Sequence, residues 1–270
     1  MGKETGAEGT TTQDREQAAI RAVVFDKDGV IVDFDRTWTP VIREAARRLA
    51  RGDENRATEL LMQVGYDPGT GTFAPGSVWA AGTNEELLAV WLPQADAQVR
   101  RAFLDMMAAL CEERTPVPVV DPALMRHALT ALRARGLALA LVTNDTTASA
   151  RGALEHFGLL DLFDFVCGFD AVPRPKPAPD PVLAFAEAAG IEPAAMAVVG
   201  DNRHDAEMAR AAGCGLIIGV LSGTSDAATL ASLCDIVLPD MQAAAHHIAT
   251  LCDGKAKDTQ LTPRPLRRYG

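Results

Sequence analysis

At 270 residues, 48% of them apolar, and with no apolar run near the roughly 18 residues needed to span a bilayer, the chain reads as a soluble protein: one large domain, or a core plus a smaller one. Its net charge of −10 argues against general binding of nucleic acid or of anionic membranes. Five scattered cysteines (Cys111, Cys167, Cys214, Cys234 and Cys252) form no CxxC pair, which points to reduced thiols and a cytoplasmic protein rather than a disulfide scaffold.

Residues 1–18 are rich in Thr, Glu and Gly and lack the apolar stretch of a signal peptide, so a disordered leader is expected. The first strand is expected over Ala22–Phe25, and it runs into Asp26-Lys27-Asp28-Gly29. Side chains two apart on a strand share a face, which places Asp26 and Asp28 side by side and turns Lys27 to the other face. Two close carboxylates raise each other's pKa unless a cation is near, and a hard divalent ion such as Mg²⁺ suits oxygen ligands. Taken alone, Asp-x-Asp-Gly reads equally well as an acidic turn closing a strand.

From Asp33 to about Pro118 no strand is evident. Helices are expected over Arg36–Arg51, Glu54–Val64, Asn84–Trp91 and Gln94–Glu113, the third opened by a Thr83/Glu86 capping box. A Gly/Pro-rich stretch, Tyr66 to Gly82, separates the second from the third. Residues 34–118 are too many for a loop and enough for a small helical domain, which leaves through the stiff linker Thr115-Pro-Val-Pro-Val. Arg36, Arg43 and Arg47 suit solvated helix charges or contacts to an anionic substrate, and Trp38, Trp79 and Trp91 suit the core of this insertion.

Beyond it, strands are expected over Leu137–Val142, Phe165–Cys167, Ala197–Val199, Leu216–Val220 and Ile236–Leu238, with helices between them. Asp121-Pro122 and Asp180-Pro181 each offer an N-cap followed by proline, and Gly136, Gly158, Gly190 and Gly213 sit where helices end. Continuous apolar strands alternating with helices mean an α/β fold, a doubly wound parallel sheet. The core is expected from 19–33 and 119–253, followed by a flexible basic tail over 254–270.

Ligands in open α/β sheets bind beyond the carboxyl ends of the strands. There the sequence supplies Asp26 and Asp28, then Thr143 and Asn144. Lys176 follows, in Pro173-Arg174-Pro175-Lys176-Pro177, and then Gly200-Asp201-Asn202-Arg203-His204-Asp205. Each has a plainer reading. Thr143 could cap the helix near Thr146, Lys176 could be a surface lysine, Asp201 and Asp205 could cap the next helix, and His204 could be a solvated loop residue.

In this order the four segments resemble the motifs of the haloacid dehalogenase superfamily, in its phosphoglycolate phosphatase-like branch, and the insertion resembles that branch's helical cap. The resemblance implies a nucleophile at Asp26, which would form an aspartyl-phosphate, and an acid and base at Asp28. It implies phosphate binding by Thr143, Asn144 and Lys176. Mg²⁺ would be held by Asp26, the Asp28 carbonyl and Asp201, with Asp205 as a ligand or support. It departs from the commoner first motif in having Val30 where Thr usually follows the glycine. The implied activity is phosphate release from a small phosphorylated metabolite, phosphoglycolate by analogy. The alternatives are a phosphomutase of the β-phosphoglucomutase type, a pyrophosphatase or nucleotidase, and a non-catalytic phosphometabolite-binding module. Oligomeric state is not legible in the sequence.

Overall fold

The computed structural model describes residues 19–255 apart from Pro75 and Gly82; the expected leader and nearly all of the expected tail lie outside the described residues. The elements run β1 (Ala22–Asp26), α1 (Phe34–Leu49), α2 (Glu54–Gln63), β2 (Tyr66–Asp67), β3 (Thr72–Phe73), α3 (Val78–Ala81), α4 (Asn84–Trp91) and α5 (Ala97–Glu113). They continue α6 (Pro122–Ala134), β4 (Ala138–Val142), α7 (Thr147–His156), β5 (Phe165–Cys167), α8 (Asp180–Ala189), β6 (Met196–Gly200) and α9 (Arg203–Ala212). Last come β7 (Leu216–Val220), α10 (Ala227–Leu233), β8 (Ile236–Leu238) and α11 (Met241–Lys255).

Six strands form one parallel sheet in the order β5-β4-β1-β6-β7-β8, an α/β doubly wound arrangement. The order reverses between β1 and β6, which opens a crevice at their carboxyl ends. Alternation along β1 divides the core between the two faces. Val23 and Phe25 pack with Leu129 of α6, Leu154 of α7 and Ile248 of α11. Ala22 and Val24 pack with Phe185 of α8 and Met208 of α9. Burial on both faces explains why these strands read as unbroken apolar runs.

The helical domain inserted after β1 buries its own cluster, with Ile42, Leu88, Trp91 and Met107 at its centre. Its two connections to the core lie side by side, with Asp33 N–H donating to Val117 O at 2.8 Å and Val119 N–H to Ile31 O at 3.1 Å. Asp33 also caps α1, accepting from Arg36 N–H at 2.9 Å. The Thr83/Glu86 capping box opens α4. Among the described residues, no helix is long and apolar enough to cross a membrane.

Two local expectations need correction. The Tyr66 to Gly82 stretch is not strand-free: β2 and β3 form an antiparallel hairpin, followed by the short helix α3. Strands of two residues are too short to show a period, although Asp67-Pro68-Gly69 is a turn signal and Asp67 accepts from Gly69 N–H at 2.8 Å. Asp180 does not cap α8 either. It lies inside the first turn, where its carboxylate is bound by Arg174 at 2.7 Å.

Candidate active site

Four strand ends converge on the β1/β6 crevice. Asp26 is the last residue of β1, Thr143 follows β4, Lys176 lies between β5 and α8, and Asp201 follows β6; all four are buried, as is Asp205 in the first turn of α9. Lys176 Nζ donates to Asp26 Oδ1 at 2.6 Å and to Asp205 Oδ1 at 2.7 Å. Burial by itself would lower the Lys176 ammonium, but the charges of Asp205 and Asp26 outweigh it and raise it. Lys176 is therefore a buried, firmly charged cation, not a surface lysine.

Around it the carboxylates are in surplus. Asp26, Asp201 and Asp205 can bring one oxygen each within 4.8 Å of one another. Burial, and then repulsion from Asp205, raise the Asp26 carboxyl well above the usual range. The same two causes push Asp201 up to about 6. Three buried carboxylates facing one ammonium leave uncompensated negative charge, and an all-oxygen donor set fits a hard divalent cation.

The members of this cluster are not equivalent. Asp205 Oδ2 accepts from the N–H groups of Asp201 and Asn202 at 3.2 and 3.3 Å while Oδ1 meets Lys176. Asp205 thus caps α9 together with Asn202 and at the same time holds Lys176. Asp201 is fixed from a direction the sequence reading overlooked, the loop after β7. Thr224 donates to its Oδ2 through N–H at 2.7 Å and through its hydroxyl at 3.1 Å. Gly29 and Gly223 make room for it. A Cβ at Gly29 (φ +80°) would fall 2.5 Å from Asp201 Oδ2, and one at Gly223 2.0 Å. Ser222 Oγ donates to Gly29 O at 2.7 Å, joining the two loops. Ser222-Gly223-Thr224 at a fifth strand end was the available signal.

Thr143 is not the cap of α7; Thr146 is, accepting from Ser149 N–H. Thr143 Oγ1 accepts from Asp145 N–H at 3.0 Å, and Asn144 Nδ2 donates to Lys176 O at 3.1 Å, steadying the lysine segment. His204 has its backbone N–H on Asn202 Oδ1. Arg43 lies 4.7 Å over the Tyr66 ring and Arg47 pairs with Glu44, so both are engaged within the insertion.

Asp28 departs from expectation. β1 ends at Asp26, so strand alternation no longer governs residue 28. Lys27 does turn to the opposite sheet face, where it is fully buried and binds Asp145. Its ammonium also reaches Asp28 Oδ2 at 3.2 Å. Asp28 Oδ1 accepts from Trp38 Nε1–H of the insertion at 2.6 Å. The cation serving Asp28 is thus Lys27, and Lys176 serves Asp26. Burial would raise the Asp145 carboxyl, but Lys27, Ser149 and Arg114 together outweigh it and hold it below its ordinary value. Arg114, at the end of α5, donates to Asp145 at 3.0 Å and to Ser149 at 2.6 Å. Neither Arg114 nor Asp145 stands out in the sequence.

Between insertion and core lies a cavity of about 270 Å³, walled by Asp33, Phe34, Asp35, Phe73, Thr224 and Asp226 among others.

A family model described as haloacid dehalogenase-like hydrolase matches residues 20–213. A phosphoglycolate phosphatase from Chromobacterium violaceum is 32% identical over 212 residues, 78% of this chain and 89% of that one. One from Neisseria meningitidis is 42% identical over 112 residues, 42% of this chain; the match spans about half, 47%, of that relative. Among solved structures, a haloacid dehalogenase family hydrolase from Deinococcus radiodurans with bound phosphate and sodium aligns at TM-score 0.59. It is 25% identical, and the alignment covers 92% of this chain and all of that one.

Proposed function

The chain belongs to the haloacid dehalogenase-like hydrolase family, and on that footing we propose that it is a Mg²⁺-dependent phosphatase acting on a small phosphorylated metabolite. The observation that carries this reading is the buried Asp26–Lys176–Asp205–Asp201 cluster at the sheet's reversal point. Mg²⁺ bound by Asp26, Asp201 and the Asp28 carbonyl would supply a Lewis acid for the phosphoryl oxygens.

This chain's own residues do the rest. Lys176 engages Asp26 Oδ1 and leaves Oδ2 to attack phosphorus, forming an aspartyl-phosphate. Lys176 and Thr143 offset charge on the phosphoryl group. Asp28 protonates the departing alkoxide and then takes a proton from the water that attacks the aspartyl-phosphate. Asp205 keeps Lys176 and Asp201 in place. The helical domain, residues 34–118, acts as a cap that excludes bulk water and limits substrate size.

Phosphoglycolate is the first candidate substrate, since both curated relatives carry that name. The cavity favours a second. Its described lining includes three carboxylates and the hydroxyls of Thr72, Ser222, Thr224 and Ser225, and among the described lining residues there is no cation. Three carboxylates in that wall disfavour an anionic leaving group there and suit a neutral, hydroxylated one, as in a sugar phosphate. Asp26, Asp28, Thr143 and Lys176 are not among its described lining residues, and the Thr224 and Ser222 hydroxyls already donate to Asp201 and Gly29 O. Phosphate release across a metabolite panel decides the matter, with ³¹P NMR separating free phosphate from an isomerised sugar phosphate, the product expected of a mutase. With Mg²⁺ at least one substrate should turn over, and EDTA should silence it; turnover that survives chelation refutes the metal role.

Gly223→Ala gives a sharper test of the metal site. Its Cβ would drive into Asp201. The Mg²⁺ concentration for half-maximal phosphate release should rise by about 10-fold or more. An unchanged Mg²⁺ titration would remove Asp201 from the metal site.

A further inference from the structure

Both oxygens of Asp28 are occupied, and the donors come from different parts of the molecule. Trp38 Nε1–H, on the first helix of the insertion, donates to Oδ1 at 2.6 Å. Lys27, fully buried on the core side, reaches Oδ2 at 3.2 Å. Trp38 is itself clamped. The Arg114 guanidinium lies 3.8 Å over its ring and the Lys27 ammonium 5.2 Å from the ring centroid. Arg114 in turn binds Asp145 and Ser149 of the core, and its side chain is only 11% exposed. Trp38 and Arg114 stand at the two ends of the insertion, one just inside each chain crossing. The indole is thus held by both crossings while its N–H meets one oxygen of a single core carboxylate.

We propose that Trp38 is a positioning residue that sets the orientation of Asp28 for proton transfer, and that Arg114 keeps its indole in register. This rests on the reading of Asp28 as the acid of a phosphatase. When the P–O bond to the leaving group breaks and the bond from Asp26 forms, the proton on Asp28 passes to the leaving oxygen, producing an alcohol and an ionised Asp28. The indole N–H and the Lys27 ammonium are both donors, and each meets a different oxygen of the same carboxyl. With Oδ1 held by Trp38 and Oδ2 by Lys27, the plane of the Asp28 carboxyl is fixed, and losing the Trp38 donor frees it to turn away from the leaving oxygen. The same contact ties acid orientation to the seating of the helical domain, because the donor belongs to the insertion and the acceptor to the core.

Trp38→Phe removes the N–H and keeps an aromatic ring beneath Arg114. The readout is kcat/KM, which reports leaving-group departure, for two probes: p-nitrophenyl phosphate and the alkyl phosphate that the wild type hydrolyses best. Nitrophenolate is a stable anion at neutral pH and leaves without a proton, whereas an alkoxide does not. Trp38→Phe should lower kcat/KM for the alkyl phosphate by about 10- to 100-fold and change the aryl probe by less than about threefold. In an Asp28→Asn background the same substitution should have no further effect on either probe, because the group it orients is gone. Retained turnover of the aryl ester also reports that the variant is folded. If it is not, Trp38→Met, which fills the site with a flexible apolar chain, must give the same split. An equal loss on both probes, or an undiminished loss on top of Asp28→Asn, reduces Trp38 to a packing residue and overturns the proposal. Failure of the phosphatase reading looks different: the wild type itself releases phosphate from neither probe.

Discussion

Asp26→Asn is expected to abolish phosphate release, by on the order of 10⁴-fold or more, while the protein stays folded. The amide keeps the shape of the carboxylate but cannot form a stable acyl phosphate. Its effect on stability has the opposite sign. Burial and the neighbouring Asp205 already disfavour the charged form of Asp26, so removing that charge relieves a site where three carboxylates face one ammonium. Lys176 retains Asp205 as its partner at 2.7 Å. In EDTA the variant should therefore melt no lower than the wild type. Appreciable turnover by the pure variant would remove Asp26 from the nucleophile role, and a large drop in melting temperature would mean that the surplus of negative charge has been misjudged.

The parts of this site that are legible in the sequence follow from one property of parallel sheets. Each strand is a short, continuous apolar run, and whatever follows it lies at one edge of the sheet. That places Asp26, Thr143, Lys176 and Asp201 in one crevice, although the first and last are 175 positions apart in the chain. Helix ends were legible for a similar local reason: Gly190 and Gly213 end α8 and α9 with positive φ. What escaped reading depends on non-local packing. Asp28 lies beyond the end of β1, so strand alternation says nothing about which neighbours it meets. Its partners are a tryptophan from the insertion and a lysine from the core face. Arg114 and Asp145 have no motif around them, and their pairing exists only because the second chain crossing is seated beside the start of α7. Asp205 carries two roles that the sequence presents as alternatives. It caps α9 and it also binds Lys176, because the first turn of that helix points into the crevice.

Lys176→Met should be the most destabilising single change at the site. It removes the only ammonium within hydrogen-bond reach of Asp26 and Asp205, among the described residues, and leaves their carboxylates buried. Breaking a buried ion pair by deleting one partner costs about 3–5 kcal/mol, because the other charge stays desolvated and unpaired. Urea titration in EDTA should find a loss of that size, and kcat/KM should fall by at least about 100-fold as the offsetting charge at the phosphoryl group disappears. The cause can be separated from a simple packing defect by combining this change with Asp26→Asn. If the penalty arises from unpaired negative charge, neutralising Asp26 takes away part of what Lys176 was holding, and the double variant should be more stable than Lys176→Met alone. If the penalty is only a poorly filled cavity, Asp26→Asn has nothing to relieve and the two effects add. A loss below about 1 kcal/mol for Lys176→Met, in the range of an exposed pair, would contradict the burial of this lysine between two carboxylates.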